Sequence, residues 1–451
     1  VRSGEEPRPR STTFSALTTL GSQVGIAALG LANVIVIGRA LGPAGRGGVA
    51  FLTTVGFISC WLATLGVDQS VSNIGAVRPA ARRALAANSV LLALVFGGAA
   101  AVLVIVATAV FPDLQGEASR GMLIVVMLCV PLLVLQIYLR QLAAAQYHFS
   151  VGNLTELVPA LVNIVGNAAL YLLGHLSISS AIITWLAGQA LGTAWLCWYI
   201  ERRLHGFGRP DLKLARESVG FGLRAHASHT MNLGNYRADQ WIMGILSTQQ
   251  QLGLYSVAVA WSEALFMVPQ AMMQIQRPDL ARAQPEHTGG RTAPIFRLSL
   301  VVTIVLAVAL IVFAPFLCVT IFGSDFHGSI IDLRILALGG VGIVALKLLG
   351  SALTAQGRPL REGFAVGATF ITVLALDFIL IPGLGGKGAS IASAIGYSVG
   401  GLAMIAAFCL TFSVRPRVLL PTPATLREGW ALARSLGARL RPGSDRSAAA
   451  G

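Results

Sequence analysis

Twelve apolar stretches, each 18 residues or longer, run through this sequence near 12–37, 47–67, 84–110, 121–143, 153–173, 178–200, 218–246, 252–276, 294–320, 330–355, 362–381 and 388–412. A run of that length and apolarity reads as a membrane-spanning helix. Composition agrees. The 451 residues are 55% hydrophobic and 12% charged, where a soluble domain carries about 25% charged residues. The expected class is therefore an all-α integral membrane protein of about twelve transmembrane helices.

The formal charge of +14 invites a nucleic-acid reading, but its distribution argues against one. With the N-terminus placed inside, the inner segments hold 25 of the 33 Lys and Arg, and the outer loops hold only Arg39, Arg46, Arg120 and Lys387. This is the positive-inside asymmetry, and it puts both termini in the cytoplasm. The opening segment VRSGEEPRPRSTTF does not read as a signal peptide, because the apolar run after it is too long and lacks a small-x-small cleavage site. The five cysteines are widely separated and lie in expected spans, with no metal-ligand spacing. His226 and His229 are one turn apart, but no neighbouring ligand completes a metal set. No metal and no cofactor is expected.

The basic loop ERRLHGFGRPDLKLARE divides the chain near its middle. The expected organisation is an N-terminal tail (1–11), an N-lobe of six helices (12–205), an inter-lobe loop (206–217), a C-lobe of six helices (218–413) and a basic tail (414–451), with a short amphipathic helix near 424–440. The halves look related. AAAQYHFSVGN at 143–153 resembles LTAQGRPLREG at 353–363, which aligns Asn167 with Asp377. GRALGPAGRGGVA at 38–50 resembles GILSTQQQLGLYSVA at 244–258, which pairs Gly38 with Gly244 and Gly47 with Gly253. Such repeats imply two pseudo-symmetric lobes around a central cavity.

The span at 218–246 is unusually polar, with Arg224, His229, Asn232, Asn235, Tyr236, Arg237 and Asp239. An ionised group at mid-membrane costs roughly 2.5–3.5 kcal/mol on insertion scales, so such groups usually face a water-filled path. At 100° per residue, Arg224, Asn232, Asn235, Tyr236 and Asp239 fall within about 120° of one another, and Arg237 lies about 160° from Asp239. On the fifth span, Glu156, Asn163 and Asn167 form a stripe roughly 40° wide. That stripe faces either the cavity or a neighbouring helix. Lys347 is a lone mid-span lysine, and Arg39 ends the first span where it would close the cavity from outside. Asp239, Asp377 and Glu263 are candidates for proton or Na⁺ coupling, because a carboxyl group taken out of water is drawn to a proton or a cation.

NYRADQWIMGILSTQQQLGLYSVAVAWSEALFMVPQAMMQIQRPDLAR (235–282) resembles the seventh and eighth helices of the oligosaccharide-lipid flippases. These form the polysaccharide transporter branch of the superfamily that also contains the multidrug and toxin extruders. The Tyr236–Asp239, Gly253–Ala258 and Pro278–Ala281 elements carry the likeness, along with RALGPAGRG at 39–47, DLRILALGG at 332–340, AQGRP at 355–359 and PGLGGKGASIASAIGY at 382–397. The resemblance runs in order over 12–412. It implies a non-enzymatic, alternating-access exporter of lipid-diphosphate-linked oligosaccharide in the bacterial inner membrane. Its partners would be the polyprenyl-diphosphate oligosaccharide, membrane lipids, and a polysaccharide polymerase or glycosyltransferases. On that reading Arg224, Arg237, Lys347 and Arg39 are the cavity cations. Asn232, Asn235, Tyr236, Glu156, Asn163 and Asn167 are its polar lining. The lipid II flippases tend to have an Asp-Arg pair in the eighth helix, where this chain reads Glu263-Ala264. A multidrug extruder is the nearest rival, but residues 12–37 hold no carboxylate. A membrane enzyme of polysaccharide assembly would need longer outer loops or paired surface carboxylates.

Overall fold

The structure, a computed structural model, describes residues 12–146, 148–281, 284–422 and 425; the side chains of 12–20, 149–150, 224–236, 275, 277–279, 281 and 285 lie outside that description. Also outside it are the 1–11 tail and the helix expected near 424–440, apart from residue 425. All regular structure among the described residues is helical.

The first helix, α1 (Thr12–Ala63), has 52 residues. At about 1.5 Å per residue it would be far longer than a bilayer core of about 30 Å. It breaks at Gly42, whose φ of 66° and ψ of −174° are not helical, and Pro43 restarts it. Glycine tolerates a positive φ and proline suits a first helical turn, so the break is written into the sequence. α1 thus supplies two spans, and α2 (Val67–Val77) continues the second beyond a turn. The third is α3 (Arg82–Leu92) joined to α4 (Gly98–Val110) through a π-turn at 93–97. The fourth is α5 (Arg120–Leu128) with α6 (Val130–Ala144), interrupted at Cys129 ahead of Pro131. α7 (Phe149–Leu172) and α8 (Ile178–Arg203) complete the first half.

The second half repeats the pattern. It begins with α9 (Leu212–Leu246), capped by Asp211, whose carboxylate accepts from the backbone N–H of Lys213 and Leu214. α10 (Gln249–Ser262) and α11 (Ala264–Ala281) form one span interrupted at Glu263. α12 (Pro285–Pro315) ends in a π-turn at 316–320. α13 (Ser329–Gly339) and α14 (Gly342–Ala355) share the next span, followed by α15 (Pro359–Leu384) and α16 (Gly386–Phe412). Among the described residues, ten stretches are long and apolar enough to cross a membrane. One of them, Gly21–Ala63, holds two spans either side of Gly42. α9 is not among the ten, because its side chains at 224–236 lie outside the described residues. With both taken into account, the twelve expected spans are present among the described residues.

One large core fills the first half around Phe51, Leu85, Tyr138 and Leu139 and crosses into the second at Met243 and Tyr255. Another surrounds Phe296, Leu348, Met404 and Phe408. Outward-facing Leu103, Val305, Val312, Ile371 and Ile379 stay exposed, as a lipid-facing surface requires.

The halves meet where α1 crosses α10. A β-carbon on Gly47 would lie 1.8 Å from the Gln249 carbonyl oxygen, and one on Gly253 would lie 1.8 Å from that of Pro43. These two contacts exchange when 206 is added to or subtracted from the residue number, the same offset that pairs Gly47 with Gly253 in the sequence repeat. The pseudo-twofold axis therefore passes through this crossing, and main chain packs on main chain there. Beside it, Arg39 donates from Nε to the Ile321 carbonyl (2.6 Å) and from Nη2 to that of Thr320 (2.9 Å). Thr54 donates to Gln240 Oε1 at 3.2 Å. The bundle is closed at the end that carries the Gly42 break.

Candidate functional site

Below the crossing, α1 and the second half's α9 to α11 line a partly open cavity of about 700 Å³. That volume falls within the ~300–1,000 Å³ of ligand pockets. Two helical stripes face each other across it. From α1 come Gln23, Val24, Ala27, Ala28, Leu31 and Val34. From α10 and α11 come Ser256, Val259, Ala260, Glu263, Met267, Gln270 and Ala271. Steps of three and four residues keep each stripe on one helical face. Arg46, Arg237 and Gln240 line the end nearest the crossing.

Arg237 Nη2 and Glu263 Oε1 form an ion pair of 2.9 Å between α9 and the interruption in the α10–α11 span. Both side chains are a little over 40% exposed, and screened pairs of that kind are worth only ~0–1 kcal/mol. The pair orients Arg237 without locking it. A smaller cavity of about 220 Å³ adjoins this place, lined by Arg237, Asp239, Tyr255, Glu263, Gln270, Lys347 and Tyr397 among others. Lys347 Nζ donates to Gln270 Oε1 at 2.9 Å and lies 6.0 Å from the Phe266 ring centre. Arg237 and Asp239 diverge around α9 as their spacing predicts, yet the longer arginine lets both reach this cavity.

Asp239 is buried and turned toward the second half. Its Oδ1 accepts from the Gln240 N–H at 2.7 Å and its Oδ2 from the Tyr255 hydroxyl. The same hydroxyl lies 3.5 Å from Ser393 Oγ. Asp377 is wholly buried nearby, within electrostatic range of Asp239, and neither carboxylate oxygen has a hydrogen-bond partner. An enclosed carboxylate without donors calls for a proton or a cation. No group of three or more His, Cys, Asp or Glu with metal-site geometry occurs among the described residues.

The other expected residues fall elsewhere. Asn167 Nδ2 donates to Asn33 Oδ1 and to Asn163 Oδ1, both at 2.8 Å, so this stripe binds α7 to α1 inside the first half. Glu156 pairs with Arg140 on α6. Neither set is among the residues lining the two cavities, and Arg39 sits at the closed end, away from both. The side chains of Arg224, Asn232, Asn235 and Tyr236 lie outside the described residues. The sequence reading missed Arg46. It stands one residue before an apolar run and so looks like a loop charge, but the helix restarts at Pro43 and carries it into the wall.

This architecture, twelve spans among the described residues in two pseudo-symmetric halves with a charged cavity between them, is that of a multi-pass membrane protein. A lipid II flippase, MurJ, in an inward closed conformation superposes with a TM-score of 0.69 at 13% identity, covering 92% of this chain and 91% of that one. An inward-facing multidrug resistance MATE family transporter of the MOP superfamily gives 0.66 at 16%, covering 88% and 98%. A MOP superfamily transporter from Pyrococcus furiosus gives 0.60 at 15%, covering 89% and 94%. At these identities the likeness is one of fold. The family model described as polysaccharide biosynthesis protein matches residues 36–331, and the chain belongs to that family. It is 26% identical over 260 residues to the probable low-salt glycan biosynthesis flippase Agl15 of Haloferax volcanii, a match covering 55% of this chain. The chain spans about half the length of that curated relative, 53%.

Proposed function

We propose that the protein carries lipid-diphosphate-linked oligosaccharide, a polysaccharide or O-antigen-type repeat unit, across the bacterial inner membrane by alternating access. The observation that carries this reading is the cavity. It has cations at Arg46 and Arg237, Lys347 in the adjoining pocket, and apolar stripes from α1 and α11 on its flanks. Sugar hydroxyls cannot enter hydrocarbon without losing their hydrogen bonds. A polar chamber with greasy walls allows the head to cross inside the protein while the lipid tail stays in the bilayer. With both termini in the cytoplasm, the closed end faces out and the chamber opens inward, where the cargo is assembled.

Asp239 and Asp377 would carry a coupling proton or Na⁺, buried beside the cargo chamber but outside its lining. Glu263 is already engaged by Arg237, which favours a role at the cargo site over ion coupling. A cationic drug as cargo fits poorly, since the chamber already presents positive groups.

The test is translocation of a radiolabelled polyprenyl-diphosphate oligosaccharide in proteoliposomes. Wild type moves it, and Arg237→Ala and Lys347→Ala each slow it at least about tenfold, the loss expected when one charge-assisted contact is removed. Proton- or Na⁺-driven efflux of small cations without any movement of lipid-linked sugar would assign the chain to drug extrusion instead.

A further inference from the structure

Arg46 stands out on three grounds. It follows the Gly42 break by one turn and precedes Gly47, whose main chain packs on that of α10, so backbone packing holds its place. Its Nε is enclosed and has no hydrogen-bond partner. It lines the same chamber as Arg237 and Glu263, within electrostatic range of both. Two guanidinium groups, one on each half, therefore line one chamber whose carboxylate, Glu263, is paired with Arg237.

We infer that Arg46 and Arg237 form a phosphate-binding pair, with Glu263 as the resting counter-ion that an incoming phosphate group displaces. The inference rests on the chamber being the cargo site. A guanidinium presents parallel donors that match two phosphate oxygens. An enclosed Nε with no acceptor is a donor still to be satisfied. Glu263 is suited to give way, because its ion pair is nearly half exposed and it stands where the α10–α11 span is interrupted. Its carboxylate neutralises one of the two arginines while the site is unliganded. A phosphate or diphosphate ester, bearing more charge and more acceptors, takes its place and draws the arginines of the two halves onto one group. Cargo binding thereby links the halves at the level of the crossing.

The full chain in phosphatidylcholine nanodiscs is titrated calorimetrically with inorganic pyrophosphate, and separately with inorganic phosphate. Arg46→Ala is expected to weaken pyrophosphate binding at least about tenfold, with Arg46→Lys in between, as loss of a charge-assisted bond requires. Glu263→Gln is expected to tighten it by about tenfold through removal of the competing charge. A misfolded variant cannot give a gain of affinity. Comparable binding of phosphate and pyrophosphate would assign the site to a single phosphate group; preference for pyrophosphate assigns it to a diphosphate. Wild-type affinity in Arg46→Ala, or unchanged or weaker affinity in Glu263→Gln, overturns the inference. If the titrations hold while proteoliposomes move no lipid-linked sugar, the phosphate site stands and the flippase reading falls. If transport occurs and the titrations fail, the flippase reading stands without this site.

Discussion

Gly253 leaves no room for even a methyl group. Its β-carbon would meet the Pro43 carbonyl oxygen, which belongs to a helix that cannot yield locally. Gly253→Ala should cost ~1–3 kcal/mol, the usual range for overpacking, seen as a lower Tm of the purified protein. Gly98→Ala, where nothing lies within 4 Å, should be neutral or stabilise by about 0.5–1 kcal/mol as a helical Gly→Ala exchange. Asp377 poses a different problem, a carboxylate fully enclosed with no donor to meet it. Replacing Na⁺ by choline in the buffer should lower Tm for wild type and leave Asp377→Asn unmoved. A wild-type Tm indifferent to Na⁺ would give the site to a proton.

Among the elements, the junction between α8 and α9 carries a pH response. His205 Nδ1 donates to the Gly206 carbonyl at 2.9 Å, and its Nε2 is 3.1 Å from Gln146 Nε2, which donates to it. That pairing suits the neutral ring. Burial pushes His205 below its ordinary 6.5, helped by nearby Arg82 and Arg83 and opposed by the Gly206 bond. The unfolded chain then binds the proton more readily than the folded one, so stability falls as pH drops below about 6.5. A Tm scan from pH 7.5 to 5.5 should show this decline, reduced in His205→Gln. The same elements show how far sequence carries. Run length and apolarity gave the spans, and charge within a span marked Arg237, Glu263 and Lys347 for the site. What spacing cannot say is which neighbour a face meets. The Asn163–Asn167 stripe reads equally well as cavity or contact until α1 is found against it. Arg46 was missed because it precedes the 47–67 apolar run and reads as a loop charge, although Gly42-Pro43 already marks where the helix restarts.

For the whole molecule, the proposed function makes the charge of the cargo set the direction of transport. An inside-negative potential favours outward movement of an anion by about 2.3 kcal/mol per charge per 100 mV. Proteoliposomes clamped with a potassium gradient and valinomycin should therefore export labelled lipid-diphosphate sugar faster as the interior becomes more negative. A rate that ignores the potential but follows a Na⁺ or proton gradient would transfer the driving force to Asp239 and Asp377. The crossing of Gly47 and Gly253 has a consequence for how such a machine changes over generations. Backbone there rests on backbone, so at these two positions the seal asks only that a side chain be absent. On the proposed function, the residues that would meet a sugar lie one or more turns further along the same helices, free to vary with each new glycan while the door goes on shutting as before.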